Sequence, residues 1–240
     1  MKSNGYSDKI KSTKSKEHEK ELNVPVTEML KSIPEALGIR VNEEPEYEVL
    51  KKDGEFEIRR YKNQVLAEVT LKALEFDEFR ETAFQKLAAY IFGGNVAQEK
   101  MGEKYSEAHR LADRLSDDSE PVSENIPMTA PVLQEEGFNK EWTMSFVLPK
   151  KYTLQTAPKP LNDEVQLREV AGYDAAVVRY SGTNTSQSIK ENQTKLITWL
   201  KAQPDHHLNG TFFSAQYDAP FVLPFLRRNE VMIKIGHRRG

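Results

Sequence analysis

EFEIRRYKNQVLAEVTLKALEFDEFRETAFQKLAAYIFGG, from Glu55 to Gly94, changes its rhythm half-way. Apolar and polar side chains alternate through EFEIRRY (Glu55 to Tyr61) and VLAEVTL (Val65 to Leu71), which is the period of a half-buried strand. Asp53-Gly54 and Lys62-Asn63 supply the turns around these strands. From Phe76 to Phe92 the spacing becomes helical. Phe76, Phe79, Ala83, Phe84, Leu87 and Ile91 fall on one face, and Gly93-Gly94 offers a left-handed stop.

Working outward, YEVL at Tyr47 leads into the first hairpin, and a charged insertion follows the helix. MTAPVLQ (Met128 to Gln134) and WTMSFVL (Trp142 to Leu148) then read as strands, before a crossing punctuated by Pro149, Pro158 and Pro160. The order then recurs. VQLREV (Val165 to Val170) and DAAVVRYSG (Asp174 to Gly182) precede a helix over Ser186 to Ala202, with Ile189, Gln193, Leu196, Ile197 and Leu200 inward. FFSAQYD (Phe212 to Asp218) and EVMIKI (Glu230 to Ile235) close the second half. Each half thus reads hairpin, helix, hairpin, which predicts an α+β fold of pseudo-twofold duplicated units. These form a curved antiparallel sheet or distorted β-barrel with two long helices packed on it. Trp142 and Trp199 are expected in the core. Upstream, Thr27 to Leu37 reads as a short helix ended or kinked by Pro34, and Met1 to Glu21 as a disordered tail rich in Lys, Ser and Glu. The expected division is 1–42 for tail and short helix, and 43–237 for one domain with a helical insertion at 96–124.

Composition narrows the function. With 38% hydrophobic and 30% charged residues the chain suits a globular domain, and 34 Lys plus Arg against 37 Asp plus Glu leave a net charge of -3. Such a balance gathers no phosphates, so nucleic acid is not expected as a partner. The absence of cysteine excludes disulfides and thiolate metal sites. The longest apolar run, Leu87 to Phe92, is far below the roughly 20 residues that cross a bilayer. Without the apolar stretch of a signal peptide, the sequence predicts a cytoplasmic protein.

Catalytic constellations are not legible. MTAPV and RRNEV resemble active-site loops, but neither has a histidine nearby to serve as base. Pro131 is read as setting a strand edge, and Arg227, Arg228 and Glu230 as anchoring the turn before the last strand. Gly93-Gly94-Asn95 follows a helix instead of opening one, so it is no phosphate cradle. His206 and His207 read as two solvated loop imidazoles; His18 lies in the tail and His237 near the C-terminus.

Several segments in order resemble the SOUL haem-binding family: EEPEYEVL (Glu43 to Leu50), EFEIRRY, YIFGGN (Tyr90 to Asn95), MTAPV, MSFVLP (Met144 to Pro149) and RRNEV (Arg227 to Val231). The family is similar in architecture to bacterial effector-binding domains of the Rob and gyrase-inhibitory type. The resemblance implies non-covalent binding of haem or a related tetrapyrrole by apolar contact along the first long helix, with basic side chains near the propionates. Carried onto this chain, it points to Arg80, Phe84, Leu87, Ala88, Ile91 and Leu223 as haem-binding positions. Arg80, beside Glu81, stands for the family arginine, while Ala89 and Leu223 replace family lysines. About two of Phe79, Phe84, Tyr90 and Phe92 are expected to face ligand. His109, at the edge of the amphipathic stretch GEKYSEAHRLADRLS (Gly102 to Ser116), is the candidate iron ligand if the insertion folds over the cleft.

Three functions stay open at this point: a haem carrier, buffer or sensor; a module for another apolar or cationic small molecule; and an enzyme that removes the metal, for which Glu81 is the one carboxylate placed near the cleft. The insertion, with eight acidic residues against four basic ones, is read as a mobile acidic lid that would repel propionates.

Overall fold

The computed structural model describes residues 42–72, 75–98, 123–137 and 141–237. The expected tail, the short helix at Thr27 to Leu37, His18, and His109 with most of the insertion lie outside these residues. In chain order the elements are β1 (Tyr47–Asp53), β2 (Phe56–Tyr61), β3 (Gln64–Lys72), α1 (Phe76–Ile91), β4 (Asn95–Val96), β5 (Val132–Glu136) and β6 (Glu141–Val147). Then come β7 (Lys159–Pro160), β8 (Gln166–Val170), β9 (Tyr173–Tyr180), α2 (Ser186–Lys201), β10 (His206–Gln216), a 3-10 turn (Pro224–Leu226) and β11 (Asn229–His237).

Nine strands form one antiparallel sheet, curled into a half-barrel, in the order β1-β2-β9-β11-β10-β5-β6-β3-β8. Set β1 aside and the order is symmetrical. The first half supplies β2, β3, β5 and β6, the second β8, β9, β10 and β11, and each lends its first strand to the other: β2 pairs with β9, and β8 with β3. The halves therefore cannot part without breaking both exchanged pairings. The pseudo-twofold passes between β5 and β10, where Gln134 faces Ser214.

Each helix covers its own half of one sheet face. α1 packs on β3 and β6, burying Phe79, Ala83, Leu87, Tyr90 and Ile91 against Val65, Ala67, Val69, Met144 and Phe146. α2 packs on β9, β10 and β11, setting Ile189, Leu196 and Leu200 on Ala176, Val178, Val231 and Ile233. A fully buried leucine or phenylalanine contributes about 1.5–3 kcal/mol, so these two seams hold the helices in place. On the opposite face Tyr61, Val177, Phe213, Tyr217 and Met232 form a third core.

Local signals explain the element ends. Gly54, at φ 58°, lets the β1–β2 hairpin turn, and Gly93, at φ 110°, stops α1. Thr185 caps α2 through a reciprocal box: its Oγ1 accepts the Ser188 N–H at 3.1 Å, and its own N–H donates to Ser188 Oγ at 2.9 Å. Thr185→Ala should cost about 1 kcal/mol in urea unfolding. An unchanged midpoint would show that the box contributes nothing here.

Several expectations are corrected. The inward face of α1 holds Tyr90 in place of Phe84, because the Tyr90 hydroxyl donates to the Pro158 carbonyl at 2.9 Å and so can be buried. On α2, Asn192 is buried where Gln193 and Ile197 were expected, its amide donating to Ser188 O at 2.8 Å. β5 begins only at Val132. β10 begins at His206, so His206 and His207 are strand residues and not a loop: they pair with His237 and Gly236 of β11. Trp142 and Trp199 are half-buried, packed against the edges of the two helix cores.

The ends of the insertion meet at one point. The fully buried Asn95 donates to Tyr90 O at 2.7 Å and Glu124 O at 2.8 Å, and its Oδ1 accepts the Glu124 N–H at 3.0 Å. Phe92 bridges to Asn125, and the Ile126 N–H donates to Ile91 O at 2.8 Å. Replacing residues 99–122 with a short Gly/Ser linker should leave the far-ultraviolet circular dichroism and a single cooperative melt intact. Loss of that melt would make the insertion part of the fold.

Candidate functional site

One row of paired residues crosses the helix-bearing face: Val69, Met144, Gln134, Ser214, Val231 and Val178. Its two ends are apolar and lie in the two helix cores. Its centre is polar. β5 lies between the strands on which the two helices pack, and here a groove of about 460 Å³ opens. Gln134 and Ser214 floor it, with Trp142 and Phe212 beside them and Ser186, Ile189, Lys190 and Gln193 of α2 as one wall.

Arg80, Phe84 and Ala88, spaced i, i+4, i+8, form the ridge of α1 outside its buried stripe. Arg80 donates from Nη2 to Gln216 Oε1 at 3.0 Å and from Nη1 to Asn184 O at 3.5 Å, with its guanidinium 5.5 Å from the Phe76 ring centre. Phe84 meets Phe146 edge-on, ring centres 5.5 Å apart, and remains 39% exposed. Phe146 pairs with Val132, and Val132 with Gln216. Phe84 therefore stands on β6, two strands from the Gln216 end of β10, which leads into the β10–β11 loop.

That loop carries Phe221, Leu223 and Phe225 with 56%, 50% and 71% of their surface exposed. Its backbone is nonetheless tied down. Arg227 donates to Val222 O at 2.7 Å and Pro220 O at 2.5 Å, Gly182 N–H to Pro224 O at 2.8 Å, and Arg228 N–H to Asp218 Oδ2 at 2.5 Å.

Under the loop lies a buried ionic cluster. Glu230, fully buried, accepts two hydrogen bonds from Arg59 at 2.7 and 2.9 Å, one from Arg228 at 2.9 Å and one from the Tyr217 hydroxyl at 2.9 Å. Arg228 reaches on to Glu44 at 3.0 Å and lies 3.7 Å above the Tyr217 ring. Burial pushes the Glu230 carboxyl up, but the Arg59 hydrogen bonds and the charges of Arg59 and Arg228 outweigh it and hold the group below its ordinary range. RRNEV thus carries an anchor, with Arg227, Arg228 and Glu230 all engaged in holding the turn.

The sequence matches a known pattern over most of its length: the family model SOUL heme-binding protein covers residues 42–105 and 101–234. The chain belongs to the SOUL heme-binding family. Curated relatives include Heme-binding protein 2 of Homo sapiens, 25% identical over 186 residues, 75% of this chain and 78% of the relative. The Mus musculus protein of the same name is 24% identical over 180 residues, with the same shares covered. Among solved structures, the EcmrR C-terminal domain aligns with 79% of this chain and 98% of its own, at 8% identity and a TM-score of 0.48.

Within this SOUL domain the six positions expected to bind haem divide. Arg80, Phe84 and Ala88 share the outward ridge, and Leu223 is in the exposed loop. Leu87 and Ile91, at 0% and 1% exposure, point to the sheet and belong to the core. Of the four aromatics named from the sequence, Phe79 and Tyr90 are buried and Phe84 and Phe92 exposed. Glu81 is exposed, within 3.4 Å of the Gln85 amide. Among the described residues no group of three or more His, Asp or Glu side chains is placed to hold a metal, and no helix is long and apolar enough to cross a membrane. Phe221 and Phe225 escaped sequence reading, although PFVLPFL (Pro220 to Leu226) is the one strongly apolar stretch between the strands of the last hairpin.

Proposed function

We propose that the chain binds haem or a related tetrapyrrole non-covalently between the α1 ridge and the β10–β11 loop, as a cytoplasmic carrier, buffer or sensor and not as an enzyme. The observation that carries this is the exposure of Phe84 on α1 and of Phe221, Leu223 and Phe225 on the β10–β11 loop in a chain of the SOUL heme-binding family. A porphyrin has two flat apolar faces and an anionic edge. Its faces suit the phenyl rings, and Arg80 is the basic group beside them, able to exchange its Gln216 contact for a propionate. Area burial at about 25 cal/mol per Å² supplies the attraction, reduced by the cost of association. With Ala89 and Leu223 in place of family lysines, affinity in the micromolar range is expected, each lost contact of about 1.4 kcal/mol being tenfold.

Haemin titration of the full chain, read by absorbance, tests this. A saturable Soret change at one haemin per chain supports it. No saturation up to tens of micromolar, on the usual affinity scale, would turn the ridge over to another apolar or cationic ligand. His109→Ala in the same titration decides the iron ligand: an unshifted Soret band removes that histidine from the account.

A further inference from the structure

Gln134 and Ser214 face each other on the pseudo-twofold axis at 4% and 2% exposure, and among the described residues Gln134 Oε1 and Ser214 Oγ have no hydrogen-bond partner. Buried polar atoms are nearly always paired, and leaving one unpaired costs about 1–3 kcal/mol. Two of them as cross-strand neighbours, both lining the floor of one groove, are an unfilled recognition pair. Their row shows that the sheet can place apolar residues here, since Met144 and Val231 are the next positions on either side.

The chemistry around the pair defines what would fill it. Gln134 Oε1 accepts a hydrogen bond, and the Ser214 hydroxyl donates one. A neighbouring N–H and C=O on one ligand satisfy both, which is the edge of an amide. Trp142, Phe212 and Ile189 line the same groove and suit an apolar or aromatic body. The groove encloses only about 70 Å³ of free space, the rest of it being open to solvent, so it holds an amide group with its ring at the mouth and not a macrocycle. We infer that this groove, walled by α2, is a second site, separate from the tetrapyrrole surface, that takes a small amide-bearing molecule through Gln134 and Ser214.

Benzamide is the probe, titrated into the full chain and followed by amide and indole chemical shifts. The expected result is a saturable shift centred on Gln134, Ser214 and the Trp142 indole. Gln134→Leu and Ser214→Ala should each weaken it about tenfold. Toluene, which keeps the ring and lacks the amide, should bind at least about tenfold more weakly than benzamide. Phe84→Asp should leave the benzamide response unchanged, so failure of haemin binding and failure of this site are separately visible. No saturable shift, a shift indifferent to both substitutions, or one centred on Phe221–Phe225 would overturn the inference. If Gln134→Leu does not fold, Ser214→Ala, which removes one oxygen, decides alone.

Discussion

Phe84→Asp lowers haemin affinity about 100-fold, close to 3 kcal/mol, and leaves the fold intact. The side chain is 39% exposed and sits at the rim of the α1 core, touching Phe146 by one edge. Asp at that place can stay hydrated in the free protein. Bound porphyrin would cover it, and a carboxylate under an apolar macrocycle loses its water while facing two like-charged propionates. Circular dichroism and a thermal melt establish folding, and the Soret titration reads affinity. Leu87→Asp cannot serve the same purpose, because a charge at a fully buried position unfolds the helix seam and removes binding indirectly. His207→Ala, on an exposed strand residue beside Gly236, is the neutral comparison. Equal haemin affinity for wild type and Phe84→Asp would remove the ridge from the site.

Glu230→Gln destabilises the domain by about 3–5 kcal/mol at pH 7, because Arg59 and Arg228 would then hold buried charge with no anion between them. For a domain of this size that lowers Tm by roughly 10 °C. The pH dependence follows from the depressed carboxyl. Glu230 is held below its ordinary 4.5, so its contribution is complete above that pH and is lost as pH falls through the lower folded value. Urea unfolding should therefore show a constant gap between wild type and Glu230→Gln from pH 7 down to about 5, narrowing only in more acid solution. A gap that widens on acidification would reverse the assigned direction. Because the cluster underlies the β10–β11 loop, the same substitution should also loosen Phe221 and Leu223 and weaken haemin binding.

The fold was legible wherever one face of an element is buried and the other wet. EFEIRRY and VLAEVTL keep a period of two because Ile58, Val65, Ala67 and Val69 enter the two helix-covered cores, while alternate positions face the other side of the sheet, where Arg59 is buried in an ion pair and Leu66 in a smaller core. Reading failed where that contrast is absent. HHLNG is mostly exposed on both faces, so nothing marked it as the first part of β10. Phe84 was assigned inward because hydrophobicity alone cannot distinguish the rim of a helical stripe from its centre. The same bias grouped the buried Leu87 and Ile91 with the exposed Phe84 and passed over the exposure of Phe221 and Phe225. The exchange of β2 and β8 between halves, and with it the meeting of Gln134 and Ser214, is a tertiary fact with no local signature.

Haemin placement on the folded chain tests the central claim most directly. Ferric haemin broadens nearby amide signals through its unpaired electrons, whereas zinc protoporphyrin occupies the same surface without doing so. Comparing the two spectra should map the iron to a patch comprising Arg80, Phe84 and Ala88 of α1 together with Phe221, Leu223 and Phe225. Broadening centred instead on His206 and His207, or spread evenly with no centre, would contradict a tetrapyrrole site between the first helix and the last loop.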